Sequence, residues 1–389
     1  MQSKLIYVLS RFALAVIFII SLILALCLPA MAQGPGSLDA PSLLFSPSAV
    51  ANGMGSGLVA GSTEASAIHY NPAALSRLGR IAVEGNTWKL FPLLDKNARY
   101  RNIAGSFRIS STRKLWLGAG YAHTGYGEQI ITGEDSPKFE KFEPHEWLLS
   151  LALATELNHH TRLGVGFKFV RVNHGPSFTG SKDISASAFA VDLGFLYDGF
   201  LPVAHLSKQF LSHPLPWRKW THQGLSPGFS LGVTLLNVGT KLKFIEGTPG
   251  SSLPQNLRTG LSWNVFESDL IGLVAIGEFA KSLVKINKTG GTDGGLKAIF
   301  TAWGDQSLRD EFSEVIYAGG LEVNLMQFAA IRFGRYWDGT AEFGDNTFGY
   351  SIGPPGFRFS FAKYTPFRSL FIEEWRVYTV SIVLDKLPF

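Results

Sequence analysis

The sequence predicts an all-β fold, a transmembrane antiparallel barrel of about fourteen strands with a short N-terminal segment folded into its lumen. Three observations carry this reading. Segments of roughly ten residues alternate large apolar side chains with glycine, serine and single charges, which is the period-two pattern of strands long enough to cross a bilayer. Composition agrees: 13% of residues are aromatic, 42 are glycine, and only 17% are charged, against about 25% in soluble domains. Beyond residue 32, no apolar run reaches the roughly 18 residues that a spanning helix needs.

The amino terminus comes first. Lys4 and Arg11 flank a greasy run, Phe12 to Leu28, that ends in Pro29-Ala30-Met31-Ala32. This is the layout of a secretory signal peptide, with Ala30 and Ala32 supplying the small residues a signal peptidase requires. Cleavage is expected after Ala32. Cys27, the single cysteine, lies inside the leader behind Leu26, so lipidation is not expected and the mature chain has no cysteine. Removing 32 of 389 residues leaves 357, and losing two of 35 basic residues leaves 33 against 30 acidic, a net of +3. Lysines and arginines are scattered instead of clustered on one face, which argues against nucleic acid as a partner.

The expected organisation is therefore a signal peptide over 1–32, a hatch over 33–78 and a barrel over 79–389. The hatch expectation comes from Pro47 to Leu78, which is not strand-like. Gly53, Gly55, Gly57 and Gly61 allow close packing inside a lumen, and Pro72 fixes a bend. Strand alternation begins after it. It is plain in Leu163, Val165, Phe167 and Phe169, in Phe229, Leu231, Val233 and Leu235, in Leu257, Thr259, Leu261, Trp263 and Val265, and in Phe357, Phe359 and Phe361. Trp88, Trp116, Trp147, Trp263, Trp337, Tyr364 and Trp375 fall near strand ends, where interfacial girdles are expected.

Connections differ in length. Asn158 to Thr161 reads as a tight turn, whereas Gly127 to His145, Asn173 to Ser185, Asp198 to Pro227 and Lys281 to Gly295 read as long loops, the usual asymmetry of short turns on one side and long loops on the other. The Pro- and Trp-containing stretch Leu201 to Gly224 is an insertion that could fold over the rim. The last strand is read as Trp375 to Leu384, with Phe389 as a terminal aromatic of the kind barrel-assembly machinery receives.

Three segments carry a family resemblance. Asn71-Pro72-Ala73-Ala74-Leu75 stands in the hatch; Leu236-Asn237-Val238-Gly239 is followed by Leu253-Pro254 and Leu257-Arg258-Thr259-Gly260; Gly319-Gly320-Leu321-Glu322 precedes Ile331-Arg332-Phe333-Gly334-Arg335-Tyr336. In this order they resemble the PorV/PorQ family of outer-membrane barrels and, more distantly, the FadL-type hydrocarbon transporters. The resemblance implies a monomeric fourteen-stranded barrel in the cell outer membrane, with outer-membrane lipid or lipopolysaccharide around it. It implies Asn71, Pro72, Ala73 and Leu75 as the hatch motif. For PorV-like members it implies handling of exported cargo proteins at a type IX secretion translocon; for FadL-like members, a channel for a hydrophobic small-molecule ligand. A continuous apolar pocket beside the hatch would favour transport, and a polar, plugged lumen with an exposed sticky rim would favour cargo handling.

Catalytic chemistry has no support in the sequence. There is no G-x-S-x-G elbow, and Gly53-Met54-Gly55-Ser56-Gly57 lacks the Lys-Ser/Thr ending of a phosphate loop. His159-His160 lacks companion ligands at metal spacing and reads as a solvated turn. His69 reads as a hydrogen-bonding or packing residue of the hatch. No enzyme activity, cofactor or metal is expected.

Overall fold

Alternating strands with one apolar face satisfy all their backbone groups in a bilayer only if the sheet closes, because an open edge would leave unpaired amides in hydrocarbon. The computed structural model of the chain does close. It describes residues 39–92, 95–133, 136–176, 183–200, 228–245, 250–267, 270–283, 297, 315–326, 328–339, 343–366 and 375–387. The signal peptide, the 201–224 insertion, the 284–295 part of the loop read as Lys281 to Gly295 and Phe389 lie outside the described residues.

In chain order the strands are β1 (Ile81–Phe91), β2 (Asp95–Ser110), β3 (Leu115–Gly125), β4 (Gln129–Gly133), β5 (Ser136–Phe142), β6 (His145–Glu156), β7 (Thr161–Pro176) and β8 (Asp183–Phe200). They continue with β9 (Gly228–Gly239), β10 (Asn256–Glu267), β11 (Ile271–Ser282), β12 (Val315–Leu325), β13 (Ala329–Asp338), β14 (Phe343–Ile352), β15 (Phe357–Pro366) and β16 (Arg376–Val383). β4 and β5 form a separate hairpin within the β3–β6 loop; the other 14 make one antiparallel barrel, sealed where Ala82 to Trp88 of β1 pair with Val383 to Val377 of β16.

The wall sorts its faces by parity. Phe167, Leu193 and Phe333 point outward and are 52–55% exposed, whereas their neighbours Lys168, Asp192 and Arg332 are buried in the lumen. An exposed apolar belt around a polar interior is the inverse of a soluble core and is what a lipid-facing wall requires.

Three corrections follow from strand phase, register and extent. Trp88, Trp116, Tyr364 and Trp375 are not girdle residues, because strand phase turns them to the lumen; Trp88, Tyr364 and Trp375 pack in its apolar cluster, and the Trp116 indole donates to the Leu78 carbonyl at 3.1 Å. The connection 201–227 leaves β8 and enters β9 beside the tight 157–160 turn, since Tyr197 pairs with Thr161 and Phe200 with Phe229. It therefore belongs to the end that carries the short turns and the carboxyl terminus, and not with the long loops opposite. The loop read as Asn173 to Ser185 is also shorter than expected, because β7 and β8 extend to Pro176 and Asp183.

Candidate functional site

Residues 39–78 run through the lumen from the long-loop end to the short-turn end, where the chain enters β1. Their local structure is made of pieces too short to be stable alone, so packing must hold them. A 3-10 turn covers Pro41–Leu44; α1 is Ala49–Gly53, capped by Ser48, whose hydroxyl accepts from the Val50 amide at 3.0 Å; α2 is Ala67–Tyr70. A second 3-10 turn spans Pro72–Arg77.

Asn71 and Pro72 explain the hatch motif physically. Asn71 caps the second 3-10 turn, its side-chain oxygen accepting from Ala73 N at 3.1 Å, and Pro72 occupies the first helical position, where a missing amide costs nothing. The Asn71 amide nitrogen then donates to the carbonyls of Val59 at 2.9 Å and of Phe195 in β8 at 3.1 Å. One side chain thus starts a turn, ties two hatch segments together and pins both to the wall. Ala73 lies against Gly164, where a side chain would overlap the Pro72–Ala73 backbone, and Gly194 makes the same allowance for Asn71. These two glycines face each other across β7 and β8. Leu75 is fully buried against Gly118.

The other two motif segments meet the same N-terminal chain or close the space above it. Gly320 and Gly334 pair across β12 and β13 and admit the backbone of Met54 and Gly55. Beside them Arg332 donates to Glu322 and to Ser351, the latter at 2.6 Å. Asn237 has a left-handed backbone, φ 60°, at a break in the β8–β9 ladder. Its side chain accepts from Lys168 at 2.8 Å and donates to the Pro254 carbonyl at 3.0 Å, and Lys168 pairs with Asp192 at 2.7 Å. The bulge holds the 240–255 connection so that Leu242 and Leu253 are buried inside the barrel.

The lower lumen is polar and densely tied, although the Ser62 and Ser106 hydroxyls are buried there without a partner among the described residues. Arg77 donates to the carbonyls of Ala60 and Ser62, at 2.7 and 3.2 Å, and pairs with Asp198 of β8. Arg162 of β7 reaches the same Asp198 at 2.8 Å, the Ser76 carbonyl at 3.1 Å and Glu156 at 3.0 Å. Val59 N donates to Glu278 at 3.0 Å, and Glu278 pairs with Arg258, whose guanidinium holds the Ser56 carbonyl at 3.0 Å. On the opposite wall Ser66 donates to Glu84, and Asn86 bonds both Ser66 and Asn102.

His69 completes this network. Its Nε2 lies 3.0 Å from the Asn102 amide nitrogen, so the ring accepts and stays neutral. Burial, helped by the positive charge of Lys168, lowers its pKa from 6.5 to about 3. Glu64 moves the other way: burial and the nearby Glu84 carboxylate raise its pKa well above the ordinary range, while the Ser48 hydroxyl, 2.5 Å away, opposes the rise.

The upper lumen is different. Trp88, Tyr100, Leu148, Val170, Leu242 and Leu253 form an apolar chamber, with alanines at positions 98, 122, 186, 188 and 190 widening it. The chain end fills it: Leu43 is buried there, and Phe45 packs edge-on against Trp88 and Tyr100 with ring centroids 5.1 and 5.6 Å apart. Its polar ties are few. Ser42 N donates to Glu146 at 3.2 Å and its hydroxyl donates to the same carboxylate, and Asp39 lies 4.0 Å from His174. Trp88 Nε1, Tyr100 Oη and Thr124 Oγ1 are buried there with no hydrogen-bond partner among the described residues. They stand side by side on β1, β2 and β3, since Trp88 pairs with Tyr100 and Tyr100 with Thr124. The sequence reading missed this row, whose only signal was lumen-phase parity in strands that also carry outward aromatics.

Among the described residues no group of three or more His, Cys, Asp or Glu could hold a metal ion. His160 lies in the 157–160 turn, its Nδ1 at 2.7 Å from the Asp198 carbonyl.

No family model matches the chain, and no curated protein matches it. Among solved structures it is similar to the Ralstonia pickettii toluene transporter TbuX, at 14% identity and a TM-score of 0.48, over 87% of this chain and 98% of that one. It is similar to the Pseudomonas putida toluene transporter TodX at 12% identity and a TM-score of 0.46, over 91% and 98%. A Pseudomonas aeruginosa FadL homologue matches at 10% identity and a TM-score of 0.41, over 85% and 96%. Likeness of this degree says nothing about what the chain carries; the barrel itself rests on its own closed strand ladder.

Proposed function

We propose that this chain is an outer-membrane channel for hydrophobic small molecules, with no enzymatic role, in which residues 39–45 stand in the place a ligand takes. The observation that carries the reading is the upper chamber. It is apolar, lies directly beside the hatch, and presents three buried polar atoms that the plug leaves unpartnered. Each such atom costs about 1–3 kcal/mol while unsatisfied. An apolar molecule with one hydrogen-bonding group would fill the space of Leu43 and Phe45 and supply the missing bond, and the polar lower hatch would act as the gate below it.

The secretion reading rests on resemblance in segments whose contacts here are accounted for by hatch docking and lumen closure, and no separate observation favours it. The experiment is to join Ser42→Cys to Glu146→Cys with a short cleavable bifunctional thiol reagent and follow uptake of a radiolabelled aromatic hydrocarbon and a long-chain fatty acid. Uptake is expected to stop on crosslinking and to return on cleavage. Unchanged uptake of both with the plug locked, or a gene deletion that spares uptake but removes a set of secreted proteins, would overturn the proposal.

A further inference from the structure

We infer that one arc of the outer wall, β15–β16–β1–β2–β3–β6–β7, carries a binding band for phosphate-bearing lipid headgroups at its long-loop end. Strand parity places the band. On these neighbouring strands the outward positions run through apolar side chains, such as Ile103 at 54% and Phe167 at 53% exposure, and then turn cationic near the long loops. Two rows result. Lys363 faces Arg376 across β15 and β16, and Lys89 faces Arg99 across β1 and β2. One step on, Arg101 faces His123, His123 faces Trp147, and Trp147 faces Arg171 across β2, β3, β6 and β7.

Like charges directly opposed across strands are unfavourable. The arrangement becomes favourable against a dense anionic surface, and its position at the edge of the apolar belt puts headgroups, not acyl chains, in front of it. Carboxylates are nearly absent from the arc: Asp95, the first residue of β2, is the single acidic outward position on these strands among the described residues, and its carboxylate accepts from Asn97 N at 2.7 Å. Trp147 sits among the cations and packs on Phe169, ring centroids 5.3 Å apart, as an interfacial aromatic does. On the opposite arc, among the described residues, the outward positions of β8, β9, β10, β12 and β14 carry no lysine or arginine, and those of β11 and β13 carry one each, Lys281 and Arg335, neither facing another cation. The opposed cationic pairs are therefore confined to one arc, which a general solubility effect would not produce.

This inference rests on the membrane-spanning wall and is independent of the transport reading, so failure of the uptake experiment leaves it standing. The test is native mass spectrometry of the purified barrel in neutral detergent, titrated with diphosphorylated lipid A, with the same lipid after enzymatic dephosphorylation, and with inorganic phosphate as competitor. The Arg99→Gln/Arg101→Gln/Arg171→Gln variant is expected to bind lipid A on the order of 100-fold more weakly, from about fivefold per lost charge over three charges. Lys363→Gln/Arg376→Gln should weaken it independently, and Arg113→Gln at the other end should leave it unchanged. Heat-modifiable gel mobility checks that each variant is folded. Lipid A binding by the triple variant as tight as by the native chain, equal binding of the dephosphorylated lipid, or displacement by inorganic phosphate would each overturn the assignment.

Discussion

The two halves of the lumen hold the same N-terminal segment by different physics. Below, hatch backbone lies directly on wall glycines, and Arg77, Asp198, Arg162, Glu278 and Arg258 form charged, hydrogen-bonded ties in which one lost partner strands another. Above, Leu43 and Phe45 fill an apolar chamber through non-directional contacts, a few polar ties to Glu146, and polar atoms left without partners. Directional, desolvated ties resist replacement, because every alternative leaves a buried charge exposed to low dielectric. Apolar filling is replaceable by any molecule of similar shape. The contrast teaches that a single plug can combine a segment fixed by directional ties with one held only by apolar filling.

The largest expected effect breaks the lower half. Asp198→Ala leaves the buried guanidinium of Arg77 and its neighbour Arg162 without their shared carboxylate, and should weaken hatch docking by about 3–5 kcal/mol. Protease sensitivity of the 60–78 region in the folded barrel is the readout; continued protection would show that the glycine contacts alone suffice. Next comes Gly164→Val, which forces a branched side chain into the Pro72–Ala73 backbone and should cost about 1–3 kcal/mol through overpacking. Single-channel conductance in planar bilayers should rise as the hatch lifts, while the barrel keeps its heat-modifiable gel mobility. A silent variant would mean that β7 yields instead of the hatch.

The smallest effect is a pH dependence. Because the folded pKa of His69 lies below its ordinary 6.5, at about 3, its contribution to docking is complete above pH 6.5 and is lost as pH falls towards 3. Glu64, raised by burial, acts with the opposite sign: its contribution is complete at low pH and declines as pH rises through its raised value. A histidine-ring NMR titration in micelles should find His69 neutral down to about pH 3. His69→Gln should reduce acid-induced hatch release without altering the behaviour of the upper chamber. A ring titrating near 6.5 would show that the lower lumen is wet.

Much of the fold was legible in the sequence, for a definite reason. In Leu163 to Phe169, Phe229 to Leu235 and Phe357 to Phe361 the outward residue must meet lipid and the inward one must not, so period-two alternation is written into the residue types themselves. The strand number near fourteen followed from strand length and the chain available to fill. The hatch was visible as a small-residue segment without alternation. The site was less legible. Asn71 stood out as a motif, yet its role as cap, tie and wall anchor depends on Val59 and Phe195, which are 12 and 124 positions away.

What the sequence alone determined is thus which residues share a face of each strand, and which face meets lipid where one parity is uniformly apolar, since that depends on parity within one strand and needs no knowledge of its neighbours. Tertiary structure alone decided what lies opposite what inside the barrel. Closure and register bring Trp88, Tyr100 and Thr124 into one row, set Gly164 against Gly194, and carry the 201–227 connection to the short-turn end. Trp88, Trp116, Tyr364 and Trp375 misled the sequence reading for the same reason: an aromatic near a strand end looks the same from either side of the wall, and only closure decides which side is lumen.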